Sequence, residues 1–241
     1  MNDELKNIIE KIDNEIFVAD QCIFFINSCN ENINFINQNN FAELFTFQRE
    51  NSITTLIIKT SNIYEKTKRN KNYSINHLLE YINKKTTVEI QRREDLFNLT
   101  EEYFNISFGE ELKESSDKCI TDYLIKNLNS LIPEKHNPKK NGLSNKLDKV
   151  FIHRDKARTH REIIDMSSMP ELNINDVEEL LQFAKKIMDL IGTTYFSKIY
   201  MTNNREYFLT FDAERIKTAN ERFIKRAENF TEDDLFIKET L

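Results

Sequence analysis

Residues that make tight turns are scarce in this chain. Only three glycines and three prolines occur among its 241 residues. They are Gly109, Gly142, Gly192, Pro133, Pro138 and Pro170. Hairpin-rich sheets need turn residues between successive strands, and glycine-rich phosphate-binding loops need clustered glycines. The sequence therefore predicts an all-α fold, which we expect to be an elongated helical bundle.

Apolar residues recur at steps of three and four along much of the chain, a pattern typical of amphipathic helices. The first such pattern covers residues 5–36 and predicts one long helix. The second covers residues 41–64, with Leu44 among the side chains expected on its inner face. We expect these two helices to pack antiparallel. Later helices are predicted to begin at three N-cap residues: Ser74, Ser144 and Asn175.

Nothing in the composition divides the chain into separate units. No linker rich in glycine, proline or serine occurs, so we expect one domain over residues 1–241.

The three cysteines are too scattered for a disulfide framework or a thiolate metal site, and no metal or other cofactor is predicted. The longest apolar run covers residues 22–26, far fewer than the roughly 20 that span a bilayer. Since no signal peptide is evident either, a soluble cytoplasmic protein with no membrane partner is expected.

The formal net charge of −6 is unevenly distributed along the chain. Residues 135–161 contain nine Lys or Arg against two Asp, a local charge of +7, so the remainder carries −13. A basic surface on an acidic body favours local binding of a polyanion such as RNA. An ordinary solvated helix face with a lysine-bearing loop has the same composition, however, and charge alone favours that interpretation.

Residues 153–162 hold two histidines and four cationic residues but only one apolar side chain. A helical segment of this composition is expected to face water, a ligand or another subunit rather than the core. At 100° per residue its basic side chains would form one electropositive face. The face comprises two neighbouring stripes: Arg154, Arg158 and Arg161 on one, and His153, Lys156, Ala157 and His160 on the other.

Two familiar sites are excluded for this segment. His153 and His160 would lie roughly 10 Å apart along a helix, too far to share one zinc ion. Residues 153–155 copy the His-Arg-Asp of the protein-kinase catalytic loop, but His160 stands where that loop requires asparagine. The sequence also lacks a glycine-rich loop and an Asp-Phe-Gly motif, so it is not that of a kinase.

Residues 154–160, Arg-Asp-Lys-Ala-Arg-Thr-His, resemble the Arg-polar-x(3–5)-His signature of the HEPN superfamily of all-α proteins. The stretch 61–82, which includes Tyr-Ser-Ile-Asn-His-Leu-Leu at 73–79, is similar to the abortive-infection U-type branch. The resemblance covers a bundle at about residues 21–200 and leaves a C-terminal extension at about 201–241. It implies a metal-independent endoribonuclease that acts as a homodimer, often in phage defence or a toxin–antitoxin pair.

The resemblance also implies roles for individual residues. His160 would activate the ribose 2′-OH or protonate the leaving 5′-oxygen. Arg154 would stabilise the charge of the transition state, and Asp155 would orient Arg154 or a ring nitrogen of His160. RNA phosphates would be held by a further set of residues: Lys149, His153, Lys156, Arg158 and Arg161.

The geometry of a helix bears on the assembly that this mechanism needs. Residues six positions apart point about 120° away from each other, so two facing helices would aim Arg154 and His160 at one phosphate better than one helix. Thr159 replaces the usual alanine and Glu162 the tyrosine of many toxins, which argues against regulation through a modified tyrosine. Two alternatives stay open: a catalytically silent module that binds RNA, nucleotide or a partner protein, and a plain helical oligomer.

Overall fold

The computed structural model describes residues 3–38, 42–66, 73–85, 89–158 and 170–196, together with Arg222. Within these ranges the regular secondary structure is helical and no strand occurs, which confirms the predicted all-α fold. The helices are α1 (Asp3–Glu31), α2 (Ile33–Gln38), α3 (Ala42–Tyr64), α4 (Ile75–Lys84), α5 (Arg93–Phe104), α6 (Glu110–Lys113), α7 (Asp117–Leu131), α8 (Gly142–Arg158) and α9 (Ile174–Phe196).

Helices α1 and α3 form an antiparallel pair, as their apolar patterns predict. Lys59 Nζ of α3 lies 2.9 Å from Glu15 Oε1 of α1. Farther along α1, Asn30 Oδ1 accepts a hydrogen bond from Arg49 Nε at 3.2 Å. The end of α1 therefore lies beside the start of α3, so the two helices run in opposite directions. Between the helices, isoleucines such as Ile12 and Ile16 are completely buried.

Helix α9 is the central element of the core and contacts α1, α3, α5 and α8. Its predicted apolar stripe is buried, including Leu180, Ala184 and Ile187. Two charged residues are buried on it as well, since the helix is enclosed on several sides. Lys185 Nζ lies 2.7 Å from Asp20 Oδ2 of α1, and Asp189 accepts a hydrogen bond from the Tyr103 hydroxyl at 2.6 Å.

The structure corrects two details of the predicted helices. The helix predicted over residues 5–36 is divided at Asn32, whose side-chain Nδ2 donates to the Ser28 carbonyl at 2.8 Å. The inward orientation predicted for Leu44 is wrong, since this residue is 51 % exposed. The next residue, Phe45, is buried, as the same apolar pattern predicts, and packs in a cluster with Ile36. Neighbouring residues on a helix differ by 100°, so both cannot face inward equally.

One of the predicted N-cap residues is confirmed, and another is wrong. Ser74 caps α4, since its side chain accepts a hydrogen bond from the His77 backbone N–H at 3.3 Å. The predicted cap at Asn175 is wrong because Asn173 precedes α9 and accepts from the Asn175 N–H at 3.0 Å.

Among the helices described, none is both long and apolar enough to cross a lipid bilayer.

Candidate active site around Arg154

Helix α8 carries the segment in which the sequence places a functional site. The expected cap at Ser144 is wrong: Asn141 Oδ1 accepts from the Ser144 backbone N–H at 2.7 Å. Asn141 Nδ2 also donates to the Leu131 carbonyl at 2.8 Å, which joins the end of α7 to the start of α8. The Ser144 hydroxyl oxygen in turn accepts from the Glu134 backbone N–H at 3.0 Å. The loop between α7 and α8 is thereby fixed at both ends.

Arg154 is buried, contrary to the expectation that the middle of this helix is displayed. Only 5 % of the residue is exposed, whereas Ile152 two positions earlier is 37 % exposed. Leu147, Val150 and Phe151 of the same helix are also buried. A buried guanidinium needs partners that replace water. The family resemblance indicates Asp155 as one of them, and the charge pattern of α8 does not indicate the others.

Those partners are two carboxylates and one aromatic ring. Asp155 Oδ1 accepts hydrogen bonds from Arg154 Nε at 3.0 Å and from Nη2 at 2.8 Å. Glu65 Oε1, from the residue directly after α3, lies 3.2 Å from Arg154 Nη1. The guanidinium carbon sits 4.3 Å from the centroid of the Phe151 ring, within cation–π range. Arg154 is therefore held in one orientation without any ligand.

The end of α3 is itself anchored, and this fixes the position of Glu65. The Tyr64 hydroxyl donates to the Leu180 carbonyl of α9. Burial raises the pKa of this hydroxyl well above its ordinary value, so it remains a protonated donor. Asn76 Nδ2 of α4 donates to the Tyr64 carbonyl at 3.1 Å. Glu65 thus follows a residue that is tied to two other helices.

Lys135 is a second cation beside Arg154. Its Nζ lies 3.2 Å from Asp155 Oδ2 and 4.6 Å from the centroid of the Phe151 ring. Asp155 therefore bridges two cations, one at each oxygen. Partial burial alone would raise the pKa of this carboxyl, but the hydrogen bonds from Arg154 and Lys135 outweigh burial and lower it. The bridge keeps Asp155 ionised and so supports the orientation of Arg154.

A neighbouring group of charges is centred on Glu134. Lys66 forms an ion pair with it, and Lys140 Nζ lies 3.5 Å away. The hydrogen bond from Lys66 is the main reason that the pKa of Glu134 is lowered, with a further contribution from Asn137. Lys66 comes directly after Glu65, so the two residues that follow α3 contact both α8 and the α7–α8 loop.

These residues surround a cavity of about 440 Å³. Its walls come from the end of α3, the α7–α8 loop and one face of α8. The lining residues are Tyr64, Glu65, Lys66, Pro133, Glu134, Lys135, His136, Phe151 and Arg154. An arginine and two lysines therefore face one cavity together with two glutamates, and the charges nearly balance. A cavity of this kind suits an anion with several oxygens, such as a phosphodiester.

The predicted RNA-binding residues lie in several different environments. Lys149 pairs with Asp176 at 3.1 Å, and His153 Nε2 donates to the Pro170 carbonyl at 2.8 Å. Lys156 is partly exposed on α8. Arg158 ends α8, and its side chain lies outside the described residues, as do Arg161 and the proposed catalytic His160. The described residues therefore give no distance between Arg154 and His160.

The cavity includes site residues that the sequence reasoning missed. Glu65 and Lys66 belong to no recognisable sequence motif, and Glu65 lies 89 positions before Arg154. Lys135 belongs to the basic segment but was not singled out there. Among the described residues, no group of three or more His, Cys, Asp and Glu is arranged to hold a metal ion.

Comparison with known families agrees with this architecture. The family model HEPN_AbiU2, described as AbiU2, matches residues 2–216. The chain therefore belongs to the AbiU2 family of HEPN domains. No curated protein and no solved structure matches it.

Proposed function

We propose that this protein is a metal-independent endoribonuclease effector that acts in phage defence or as a toxin. Family membership supports a ribonuclease or abortive-infection role. The observation that carries the proposal is the environment of Arg154. This buried arginine, the first residue of the HEPN-like motif, is oriented by Asp155, Glu65 and Phe151 at the wall of an accessible cavity. Fixed donors that need no reorganisation are what electrostatic catalysis requires.

Arg154 retains capacity to bind a ligand in this arrangement. A guanidinium has five N–H groups, and three of them make the hydrogen bonds to Asp155 and Glu65. Within the part of the chain that the structure describes, the remaining two have no protein acceptor. Two donors on adjacent nitrogens match the spacing of two phosphate oxygens. The proposal assigns these donors to the scissile phosphate of RNA.

The proposed reaction is attack of the ribose 2′-oxygen on the adjacent phosphorus. The 5′-oxygen of the next nucleotide leaves, which gives a 2′,3′-cyclic phosphate and a 5′-hydroxyl. Arg154 stabilises the extra negative charge on the phosphorus oxygens in the transition state. His160 transfers a proton, a role that suits an imidazole near neutral pH. Asp155 keeps Arg154 in place. Neighbouring phosphates are held, without reading of sequence, by Lys66, Lys135 and the predicted set Lys149, His153, Lys156, Arg158 and Arg161.

A homodimer is part of the proposal. Residues six positions apart on one helix point about 120° away from each other, so two facing helices would aim Arg154 and His160 at one phosphate better than one helix. An antitoxin or other defence-system protein is a further proposed partner, because an uncontrolled ribonuclease would damage its own cell.

The decisive experiment is RNA cleavage in the presence of EDTA. Purified wild-type protein should cleave mixed RNA and leave 5′-hydroxyl ends, whereas Arg154→Ala and His160→Ala proteins should not. Lys84→Ala is a matched control because Lys84 is an exposed lysine paired only with Glu80 on its own helix among the contacts described. It should cleave like the wild type. Intact RNA that still binds in a salt-dependent manner would replace the ribonuclease with a silent RNA-binding module.

A further inference from the structure

We propose that Glu65 is the general base that accepts the proton of the ribose 2′-OH, which leaves His160 as the general acid. This inference rests on the proposed ribonuclease function. Attack by the 2′-oxygen and departure of the 5′-oxygen require two proton transfers at two different atoms. One imidazole cannot accept the first proton and donate the second in the same step. The site therefore needs a second group next to the scissile phosphate.

Glu65 lies directly beside the guanidinium that is proposed to bind the scissile phosphate. Its Oε1 is 3.2 Å from Arg154 Nη1, the nitrogen proposed to contact the phosphate. A phosphate oxygen hydrogen-bonded to that nitrogen would lie roughly 3 Å from it. The 2′-oxygen of the same nucleotide is adjacent to the phosphate, so it would approach the Glu65 carboxylate within hydrogen-bond reach. The side chain is only 16 % exposed, and this limits competition from water.

The other described residues that line the cavity suit this role less well. Glu134 is engaged by Lys66 and Asn137, and these hydrogen bonds lower its pKa and weaken it as a base. The Tyr64 hydroxyl is buried and donates to the Leu180 carbonyl. His136 is turned toward Asp148, 3.7 Å from its Nδ1, and its side chain is 77 % exposed. Of these residues, only Glu65 contacts Arg154 directly.

The proton balance of the proposed step is complete. The 2′-OH proton passes to a Glu65 carboxylate oxygen as the 2′-oxygen forms its bond to phosphorus. The bond from phosphorus to the 5′-oxygen breaks, and that oxygen takes a proton from the His160 imidazolium. The products are the cyclic phosphate and a 5′-hydroxyl, with no oxidant, metal or co-substrate. Afterwards Glu65 holds one proton more and His160 one fewer, and exchange with water restores both.

The first test is Glu65→Gln, because glutamine has the same shape and keeps an oxygen that accepts a hydrogen bond from Arg154. We expect kcat to fall by about 10²–10⁴-fold, the usual contribution of general base catalysis. The Kd for a non-cleavable RNA with a 2′-methoxy group should stay within about twofold, since no phosphate contact is lost. Glu80→Gln is the matched control, because Glu80 is an exposed glutamate of α4 that pairs with Lys84 on the same helix, and it should retain kcat. A wild-type kcat in Glu65→Gln would overturn the assignment.

The second test separates a base from a residue that merely orients Arg154. An RNA whose leaving 5′-oxygen is replaced by sulfur needs no general acid, so His160→Ala should cleave it well. With this substrate Glu65 takes the proton in the wild type, so the wild-type rate should change little as pH rises. In Glu65→Gln only hydroxide can take the proton, so the rate should rise about tenfold per pH unit. The described charged groups around Arg154 and its cavity are unchanged in this variant: Arg154, Asp155, Lys66, Glu134 and Lys135.

The outcomes distinguish this inference from the proposed function itself. If Glu65→Gln keeps the level pH profile of the wild type on the sulfur substrate, Glu65 is not the base, although the ribonuclease stands. If His160→Ala cleaves the sulfur substrate no faster than ordinary RNA, the assignment of His160 as the acid is wrong and the division of roles fails. If the wild type cleaves neither substrate, the proposed function fails, and the catalytic role of Glu65 fails with it.

Discussion

The Glu65 carboxylate lies 3.2 Å from the guanidinium of Arg154, although the two residues are 89 positions apart in the chain. Both side chains are largely buried, with 16 % and 6 % of their surfaces exposed. An ion pair shielded from water is held more firmly than one on the surface, and loss of one partner leaves the other charge poorly solvated. This contact therefore couples the end of α3 to the functional helix α8.

A double-mutant cycle should detect this coupling. We expect Arg154→Gln and Glu65→Gln together to destabilise the fold less than the sum of the two single changes. The coupling energy should be about 1–3 kcal/mol, as found for residues in direct contact. It is measured from the free energy of unfolding in urea.

The matched control is the pair Lys6 and Glu10, which lies 3.6 Å apart on the surface of α1 with both side chains more than half exposed. The same glutamine changes there should give a coupling below about 0.5 kcal/mol. Equal coupling in the two cycles would mean that burial does not strengthen the Arg154–Glu65 contact.

The fold was predictable because its determinants are local. Apolar spacing and the scarcity of turn residues indicate helices, and the antiparallel pairing of α1 and α3 follows from two adjacent amphipathic segments. The exceptions are also local in origin. Leu44 and Phe45 are both apolar, and only packing against residues such as Ile36 decides which of them faces inward.

The candidate site was predictable only in part. The resemblance implies that Asp155 contacts Arg154 or His160, and the structure contains the contact with Arg154. The burial of Arg154 was not foreseen because it depends on a carboxylate from a distant helix. The chain has 40 acidic residues, and no pattern in the sequence indicates which of them reaches α8. Glu65 is identified by the tertiary structure alone.

The stability contributed by Asp155 should depend on pH in a defined direction. Its pKa is lowered in the folded protein, because hydrogen bonds from Arg154 and Lys135 outweigh the opposing effect of burial. Its contribution is therefore present above the ordinary value of 3.8 and is lost as pH falls through the lower folded value. Asp155→Asn should be less stable than the wild type at pH 7, with the difference vanishing toward acid pH.

The expected difference is below about 1 kcal/mol, since half of the Asp155 side chain is exposed and solvent screens the pair. Urea unfolding of both proteins at a series of pH values from 7 downward measures it. A difference that remains constant across this range would show that the asparagine acts through packing and not through loss of the charge.

The N-cap of α8 offers a test of a residue that the sequence reasoning placed wrongly. Asn141→Ala removes the acceptor of the Ser144 N–H and the donor to the Leu131 carbonyl. We expect the free energy of unfolding to fall by about 1–2 kcal/mol, the usual cost of losing such a cap. Asn145→Ala, an exposed asparagine in the first turn, should change it little. A larger effect at Asn145 would contradict the assignment of the cap.

The salt dependence of RNA binding should distinguish lysines that face the cavity from lysines used within the fold. Lys135 lines the cavity with Arg154, whereas Lys146 is engaged by both Asp176 and Glu179 of α9. If Lys135 contacts a phosphate, Lys135→Ala should reduce the slope of log Kd against log salt by about 1. Lys146→Ala should leave the slope unchanged, because its charge is already compensated by two carboxylates.

Fluorescence anisotropy with a short RNA, in a variant inactivated by His160→Ala, measures both slopes. Equal reductions would mean that the basic segment attracts RNA as a whole, and that the cavity around Arg154 is not the place where the strand binds.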